Sequence, residues 1–456
     1  MLGDGVVGSS GAVALASREP NEDEVLLPFS GLALNRHDTR TPHHPIDVDE
    51  ASRRILAAFA PLPMTRVPLA DACGQVLALD IVAGMNVPAF ANAAMDGFAV
   101  RAADTALASR AVPVALGVIA EAAAGAVCAA SVLPGTAVRI MTGAPVPAGA
   151  DAVVRFEETD EGDGGRPRLP GATVEIRAPA RPGANVRPVG EDVRIGEVVL
   201  AAGTRVRPAE VGVLAALNRV SATVHRRPRV GVLTTGDEVV DAGEPMGPGQ
   251  IRNSNGPMIA AMVRRCGGEA VALGTARDRE EELRERLSGL DGLDLLLTTG
   301  GVSVGDFDLV KDVLRSAGRI DFWHVRIKPG KPLAFGRLGG TPVLGLPGNP
   351  VAAAVAFEQF ARPAIRRMLG DRLLDIPTVM AQFTGRVENR GGRRHFVRVW
   401  VTMDSGEYEA RLAGGQGAGV LSSLARANGL MVIPEDVSAA QEGDAFPVQM
   451  LDWGLG

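Results

Sequence analysis

The sequence predicts a multidomain α/β plus β protein: a doubly wound α/β domain, preceded by a β-rich region and followed by a small β-domain. Three observations carry this. From residue 228 to 370, apolar β-type runs alternate with helix-like stretches, the pattern of a sheet layered with helices. Between about 79 and 196, short β-type runs such as AVRIM, DAVVRFEE and TVEIRAP are separated by turn clusters rich in Gly and Pro. After Gly370 the β-type texture returns in QFTGRVE, HFVRVWVTM, EYEARLA and LMVIP.

Taken in order, residues 1–45 lack periodicity and are rich in Gly, Ser, His and Pro, and are expected to be a loose tail. The stretch 46-IDVDEASRRILAAFAP-61 predicts a helix, with Asp47 or Asp49 as cap and Pro61 beyond its end. After the β-rich region, EDVRIGEVVLAAGTRVRPAEVGVLAAL leads through further β structure and a short helix to a boundary at Arg226, Arg227 and Pro228. Then follow the strand VGVLTT, a helix from Ser254 to Cys266 with Pro257 in its first turn, and the strand AVALGTA. REEELRERLSGL is helical with Leu283, Leu287 and Leu290 on one face. DLLLTTGG is a strand and DLVKDVLRSAG a helix. FWHVRI, PLAFGRL and TPVLGLP are strands, and VAAAVAFEQFARPAIRRMLG is one long helix. The sheet is expected to be parallel.

The totals narrow the function. The 456 residues suggest about three domains. With 46% hydrophobic and 22% charged residues the composition is that of a soluble globular protein. The net charge of −6, with both signs interspersed, argues against a nucleic-acid or membrane surface. Three widely spaced cysteines form no CxxC pair, so no zinc site or disulfide framework is indicated and a reducing cytoplasm fits. The first twenty residues lack the basic start of a signal peptide, and the longest apolar run is interrupted by Pro113 and Glu121.

Four strand ends between residues 234 and 350 carry unusual loops: TTGDE (234–238), TTGGVSVGDFD (298–308), IKPGKP (327–332) and GLPGNP (345–350). Ligands of α/β sheets collect at such ends. Each loop also has a plain structural reading. KPGK alone reads as a surface turn with solvated lysines, and GLPGNP as a helix start with Asn349 as cap and Pro350 first in the helix. Four together point to a site. Free backbone N–H groups at helix starts, with Lys328 and Lys331, suit phosphate or another oxyanion. Asp237, Glu238, Asp306 and Asp308 would repel a bare phosphate, and Mg²⁺ resolves the conflict because it takes carboxylate and phosphate oxygens together. Capping by Asp306 and a solvated Glu238 remain the alternatives.

These motifs resemble the molybdopterin molybdenumtransferases, the MoeA family, which includes the E domain of gephyrin. The likeness extends to 88-PAFANAAMDGFAV-100, 139-RIMTGAPVPAGADAVV-154, 187-RPVGEDV-193 and the terminal LSSLARANGLMVIP, so that it covers about 46–455. It implies four domains: a segmented, elongated first domain (46–78 and 197–227), an inserted β-rich second (79–196), the α/β molybdopterin-binding third (228–371) and a C-terminal β-barrel (372–456). It implies a homodimer whose active site is shared between subunits. It implies that adenylylated molybdopterin is cleaved to AMP while molybdate enters the dithiolene, with Mg²⁺ assisting. The upstream adenylyltransferase and acceptor molybdoenzymes are candidate partners.

Carried over by motif, the resemblance implies catalytic roles for Asp96, Asp192, Glu238, Asp278 and Asp308. It implies substrate or molybdate contacts from Thr142, Thr235, Gly236, Asp237, Gly300, Gly301, Ser303, Gly305, Lys328, Lys331, Pro347, Asn349, Pro350, Arg393 and Ser422. Arg393 and Arg398 also read as the solvated face of an alternating strand. Two positions depart from the family pattern: His324 stands where many relatives carry lysine, and Ala418 where many carry serine. Two rival functions are a molybdopterin adenylyltransferase, which needs only a domain like 228–370, and a gephyrin-like scaffold, which adds a further domain and a long linker.

Overall fold

The computed structural model describes residues 45–162, 166–277, 279–287, 290–300 and 318–451. The tail (1–44), Asp278 and the 301–317 segment, with its predicted helix, lie outside them. The first helix, α1 (Val48–Leu56), starts where Asp47 accepts the Glu50 N–H at 2.7 Å, which settles the cap as Asp47. Acids in its first turn and arginines in its last complement the helix dipole, and Val48, Ala51 and Ile55 turn inward.

The α/β layer is built from β1 (Arg229–Thr235), α2 (Asn255–Arg265), β2 (Glu269–Ala276), α3 (Glu280–Leu287), β3 (Leu295–Thr299), β4 (Gly318–His324), β5 (Pro332–Leu338) and β6 (Thr341–Leu346). Its sheet order is β2-β1-β3-β6-β5-β4. The first four strands are parallel, whereas β5 pairs antiparallel with both β6 and β4. The expectation of a parallel sheet is corrected at this edge for a physical reason. A parallel return needs a crossover of about a dozen residues, and only Gly339 and Gly340, both at positive φ, separate β5 from β6. The central strands β1 and β3 are apolar and almost wholly buried, as strands covered on both faces must be.

The long helix after β6 is continuous but not uniform. It runs as α4 (Pro350–Ala356), a wide turn (Phe357–Ala361) and α5 (Arg362–Met368). Pro363 has no N–H and its ring crowds the preceding turn. The register slips there, so that Arg362 N–H reaches back five residues to Phe357 O.

A second layer of β structure precedes this domain. Met64–Pro68 pairs with Ser221–His225, and Ile81–Val82 with Val198–Leu200, so chain segments on either side of the β-rich insert lie together. At the boundary predicted for Arg226–Pro228, Arg226 clamps Asp294 through two bonds of 2.7 and 2.6 Å. The insert holds a five-stranded sheet in the order Ala152–Arg155, Gly97–Val100, Thr136–Ile140, Val114–Ala122, Thr173–Ile176.

Beyond the α/β layer, β7 (Thr378–Phe383), β8 (Arg394–Asp404), β9 (Glu407–Leu412), β10 (Gly429–Ile433) and β11 (Ala445–Met450) close a barrel in the order β8-β9-β7-β11-β10, β10 pairing back with β8. Val397, Val399 and Val401 fill the barrel core, while Phe396 joins the core of the α/β layer. The outer face of β8 is therefore not solvated. Arg398 is fully buried, bonding Ser423 Oγ (3.2 Å) and the carbonyls of Gly415 and Gly417 (3.1 Å each). This corrects the solvated-face reading of Arg398. Burial lowers its pKa to about 10, still charged at neutral pH.

His395, 1% exposed, has no partner for either ring nitrogen among the described residues. Burial, then Lys328, Arg398 and Arg393, push its pKa down to about 3. An unfolded histidine takes up its proton near pH 6.5. The unfolded state therefore binds the extra proton between pH 6.5 and 3, and stability is full above that window and lost as pH falls through it. The His395→Gln variant should lose less stability than wild type between pH 7 and pH 4, by on the order of a few kcal/mol, in denaturant titrations at the two pH values.

Candidate active site

A cleft of about 570 Å³ opens at the carboxyl ends of β1, β3 and β6. Its walls are the Thr234–Val239 turn, the start of α2, Thr299–Gly300, Gly330–Pro332 and Pro347–Pro350. This is where an α/β sheet gathers ligands, because the strand ends fan apart and helix starts point their N–H groups inward. Of the residues expected from the sequence, the cleft unites Thr235, Gly236, Glu238, Gly300, Lys331, Pro347, Asn349 and Pro350.

Positive φ with a close neighbour, backbone at one and a carboxylate at the other, explains two glycines. Gly300 has φ +92°, and a Cβ on it would lie 2.4 Å from Thr235 O. Gly236 has φ +141°, and a Cβ there would lie 2.7 Å from Glu238 Oε2, so that carboxylate folds over the glycine. Asn349 is the cap position of α4 with Pro350 first in the helix, but its side chain makes no capping bond. It serves the helix start and the cleft wall at once.

Other expected residues stand elsewhere. Asp237 is exposed and is not among the lining residues. Lys328 turns away to Glu388 O (3.3 Å), and burial, then Arg393, lower its pKa. Arg393 is half-buried and Ser422 exposed, both outside the lining. The buried hydroxyl is that of the next residue, Ser423, which serves Arg398 and Val420 O. Asp96 and Thr142 do come together in the β-rich insert: Asp96 accepts the Thr142 N–H at 2.6 Å and its hydroxyl at 2.7 Å. Those two bonds, the backbone one first, hold the Asp96 carboxyl below its ordinary range. Asp192 is exposed, in a turn where its N–H donates to Val87 O. No residue of the insert is in the described cleft lining. Asp278, Gly301, Ser303, Gly305, Asp306 and Asp308 lie outside the described residues.

The two departures are placed as well. Ala418 lines the cleft and acts through its carbonyl, which accepts the Val351 N–H at 3.1 Å and needs no hydroxyl. His324 is half-buried outside the lining, its carbonyl accepting the Ile46 N–H at 2.9 Å.

The sequence reading missed a polar floor. Asn253 binds Asp241 Oδ1 (2.7 Å) and Thr275 Oγ1 (3.0 Å) through its amide nitrogen, and its oxygen accepts the Gly256 N–H (2.9 Å). Asn255 bridges Thr299 and Gly348. The signal was present in 250-QIRNSNGP-257, two amides flanking a cap serine just before a proline in a first turn. Thr235 Oγ1, Thr298 Oγ1 and Asn255 Oδ1 are buried without partners among the described residues. Among the described residues no group of three or more His, Cys, Asp or Glu is placed to hold a metal by protein ligands alone. The donors on residues lining the cleft, Glu238 with the Thr235 and Asn255 oxygens, are all hard. They fit Mg²⁺, which binds through one or two carboxylates plus substrate phosphates and keeps several waters.

A profile of the MoeA N-terminal region (domains I and II) matches residues 46–218, one of a "probable molybdopterin binding domain" matches 231–367, and one of the MoeA C-terminal region (domain IV) matches 380–451. Molybdopterin molybdenumtransferase 2 of Mycobacterium tuberculosis is 42% identical over 394 residues, 85% of this chain and 94% of that one. The chain belongs to the molybdopterin molybdenumtransferase (MoeA) family. As a member it is an enzyme of molybdenum cofactor biosynthesis. The family relative from Haemophilus influenzae is 33% identical over 415 residues, covering 90% of this chain and all of its own. A solved MoeA structure from Pyrococcus horikoshii superposes with a TM-score of 0.75 at 31% identity, covering 90% of this chain and 100% of that one. Among the described residues no helix of this MoeA-family chain is long and apolar enough to cross a membrane.

Proposed function

We propose that the strand-end cleft binds adenylylated molybdopterin, and that the chain inserts molybdate into its dithiolene while AMP is released. The observation that carries this is the convergence of Thr235, Gly236, Glu238, Gly300, Lys331 and Pro347–Pro350 on one cleft. Glycines let the backbone N–H groups of the walls approach phosphate oxygens, and Lys331 brings a positive charge to the same edge. Glu238 orients the attacking oxygen, from water or molybdate, toward the phosphoanhydride, and the bond to AMP breaks. The pterin brings its own two sulfurs, so no cysteine of the protein is needed. Asp278 and Asp308 are proposed as further acids of the same cleft.

Mg²⁺ would be held by Glu238 with substrate phosphates, Asp306 and Asp308 completing the set, while Asp237, outside the cleft lining, is left out of it. When bound it neutralises the diphosphate. The chain's own groups do the positioning.

We further propose a homodimer and the four-domain division given above. Asp96, Thr142 and Asp192 belong to the insert, and no insert residue lines the cleft of its own chain. Val82, Met85, Val189, Ile195 and Val198 are exposed on neighbouring segments of the β-rich half. Such an apolar surface is what a second copy would cover. In a two-fold dimer the insert of one subunit then completes the cleft of the other. The cytoplasm, with its free thiols, is the proposed compartment.

Purified protein incubated with adenylylated molybdopterin, molybdate and Mg²⁺ should release AMP. Chelation with EDTA should stop the release and added Mg²⁺ should restore it. Absence of AMP sinks the activity, and full activity in metal-free buffer sinks the metal. The matches outside residues 231–367 leave the adenylyltransferase reading without support, and nothing observed favours the scaffold.

A further inference from the structure

Asn255 ties together two walls of the cleft. It is the first residue of α2 and is 8% exposed. Its Nδ2 donates to Thr299 Oγ1 and to Gly348 O, both at 2.7 Å. The Thr299 hydroxyl donates onward to Pro347 O at 3.2 Å. Gly348 O can only accept, which fixes the nitrogen end of the amide. The other end, Oδ1, is therefore left buried and unpartnered among the described residues. Buried acceptors are rarely stranded in this way, and one that is calls for an explanation. Here the two bonds given by Nδ2 fix the amide's orientation, and both go to groups on the cleft walls. The two walls nearly touch, since a Cβ on Gly348 would lie 3.6 Å from Gly300 Cα. The β3–β6 ladder brings the two walls side by side up to Thr299 and Leu346, and the Asn255 amide with the Thr299 hydroxyl bridges them just beyond it.

We propose that Asn255 is a positioning residue for the reaction, acting through Thr299 and Gly348 to hold the Gly300 and Pro347–Pro350 walls at their working distance. This rests on the cleft being the active site. Loosened walls would still collect substrate but would misplace the reacting atoms, so turnover should suffer more than binding.

The test compares Asn255→Ala, Thr299→Val, Thr299→Ser and the Asn255→Ala/Thr299→Val double variant, with kcat expressed per AMP-binding site to remove any loss of folded protein. Asn255→Ala and Thr299→Val should each lower kcat at least about tenfold with KM within about threefold. Thr299→Ser, which keeps the hydroxyl, should recover most of it. The double variant should be no worse than the worse single, because both break one network. Additive losses, or losses that vanish per AMP-binding site, would overturn the proposal. If Asn255→Ala does not fold, the Thr299 pair decides: equal activity of valine and serine variants overturns it. Wild type that releases no AMP brings down the reading of the cleft and this inference with it. Active wild type with unaffected variants brings down the inference alone.

Discussion

Gly300→Ala should lose at least about 100-fold in AMP release, because atomic misplacements of an ångström at a reacting site cost that much. The added methyl would lie 2.4 Å from Thr235 O at a φ of +92°. Neither the strand end nor the turn can yield without moving the wall. The strained backbone alone costs about 1–3 kcal/mol, which should lower the thermal midpoint by a few degrees. Gly339→Ala provides the control. Gly339 also has positive φ (+54°), but its Cβ would meet nothing within 4 Å, in the β5–β6 turn outside the cleft lining. That variant should lose stability and keep its activity. Equal activity in both variants would mean that the Gly300 wall does not shape the site.

The second large effect concerns sharing of the site. Asp96→Asn and Glu238→Gln homodimers should both be nearly inactive. In a mixed dimer both defects fall in one site and the other is intact. Random reassociation of equal amounts should return about a quarter of wild-type activity, since half the dimers are mixed and each has one good site of two. The chains must be co-expressed or refolded together, with mixed dimers verified by differential tagging. Verified mixed dimers as inactive as the parents would place the whole site within one chain or remove these acids from it.

Much of this was legible in the sequence because it was local. Strand and helix periods, the Asp47 cap and the Gly-rich strand ends are written in consecutive residues. The antiparallel edge was misread as parallel although its signal was local: LGGT between two β-type runs is a two-residue hairpin, which forbids a parallel return. What else escaped depends on partners distant in sequence. Alternation along β8 marked Arg398 as outward, but outward there faces the 414–417 loop and the α/β layer, so the guanidinium is buried. Lys328 and Lys331 look equivalent in KPGKP, yet only Lys331 lines the cleft, because Ile327–Lys328 pairs with the barrel strand β8. Asn255 looked like an ordinary helix start because Thr299 and Gly348 reach it only in the folded chain.

The most direct measurement is a crystal structure of the protein with AMP and Mg²⁺. The account predicts AMP in the cleft, spanning the Gly300 and Gly348 walls within hydrogen-bond reach of Thr235, with its phosphate toward Lys331 and with Asp96 of the partner subunit facing it. AMP bound anywhere other than this cleft, or a cleft completed by no second subunit, would contradict it.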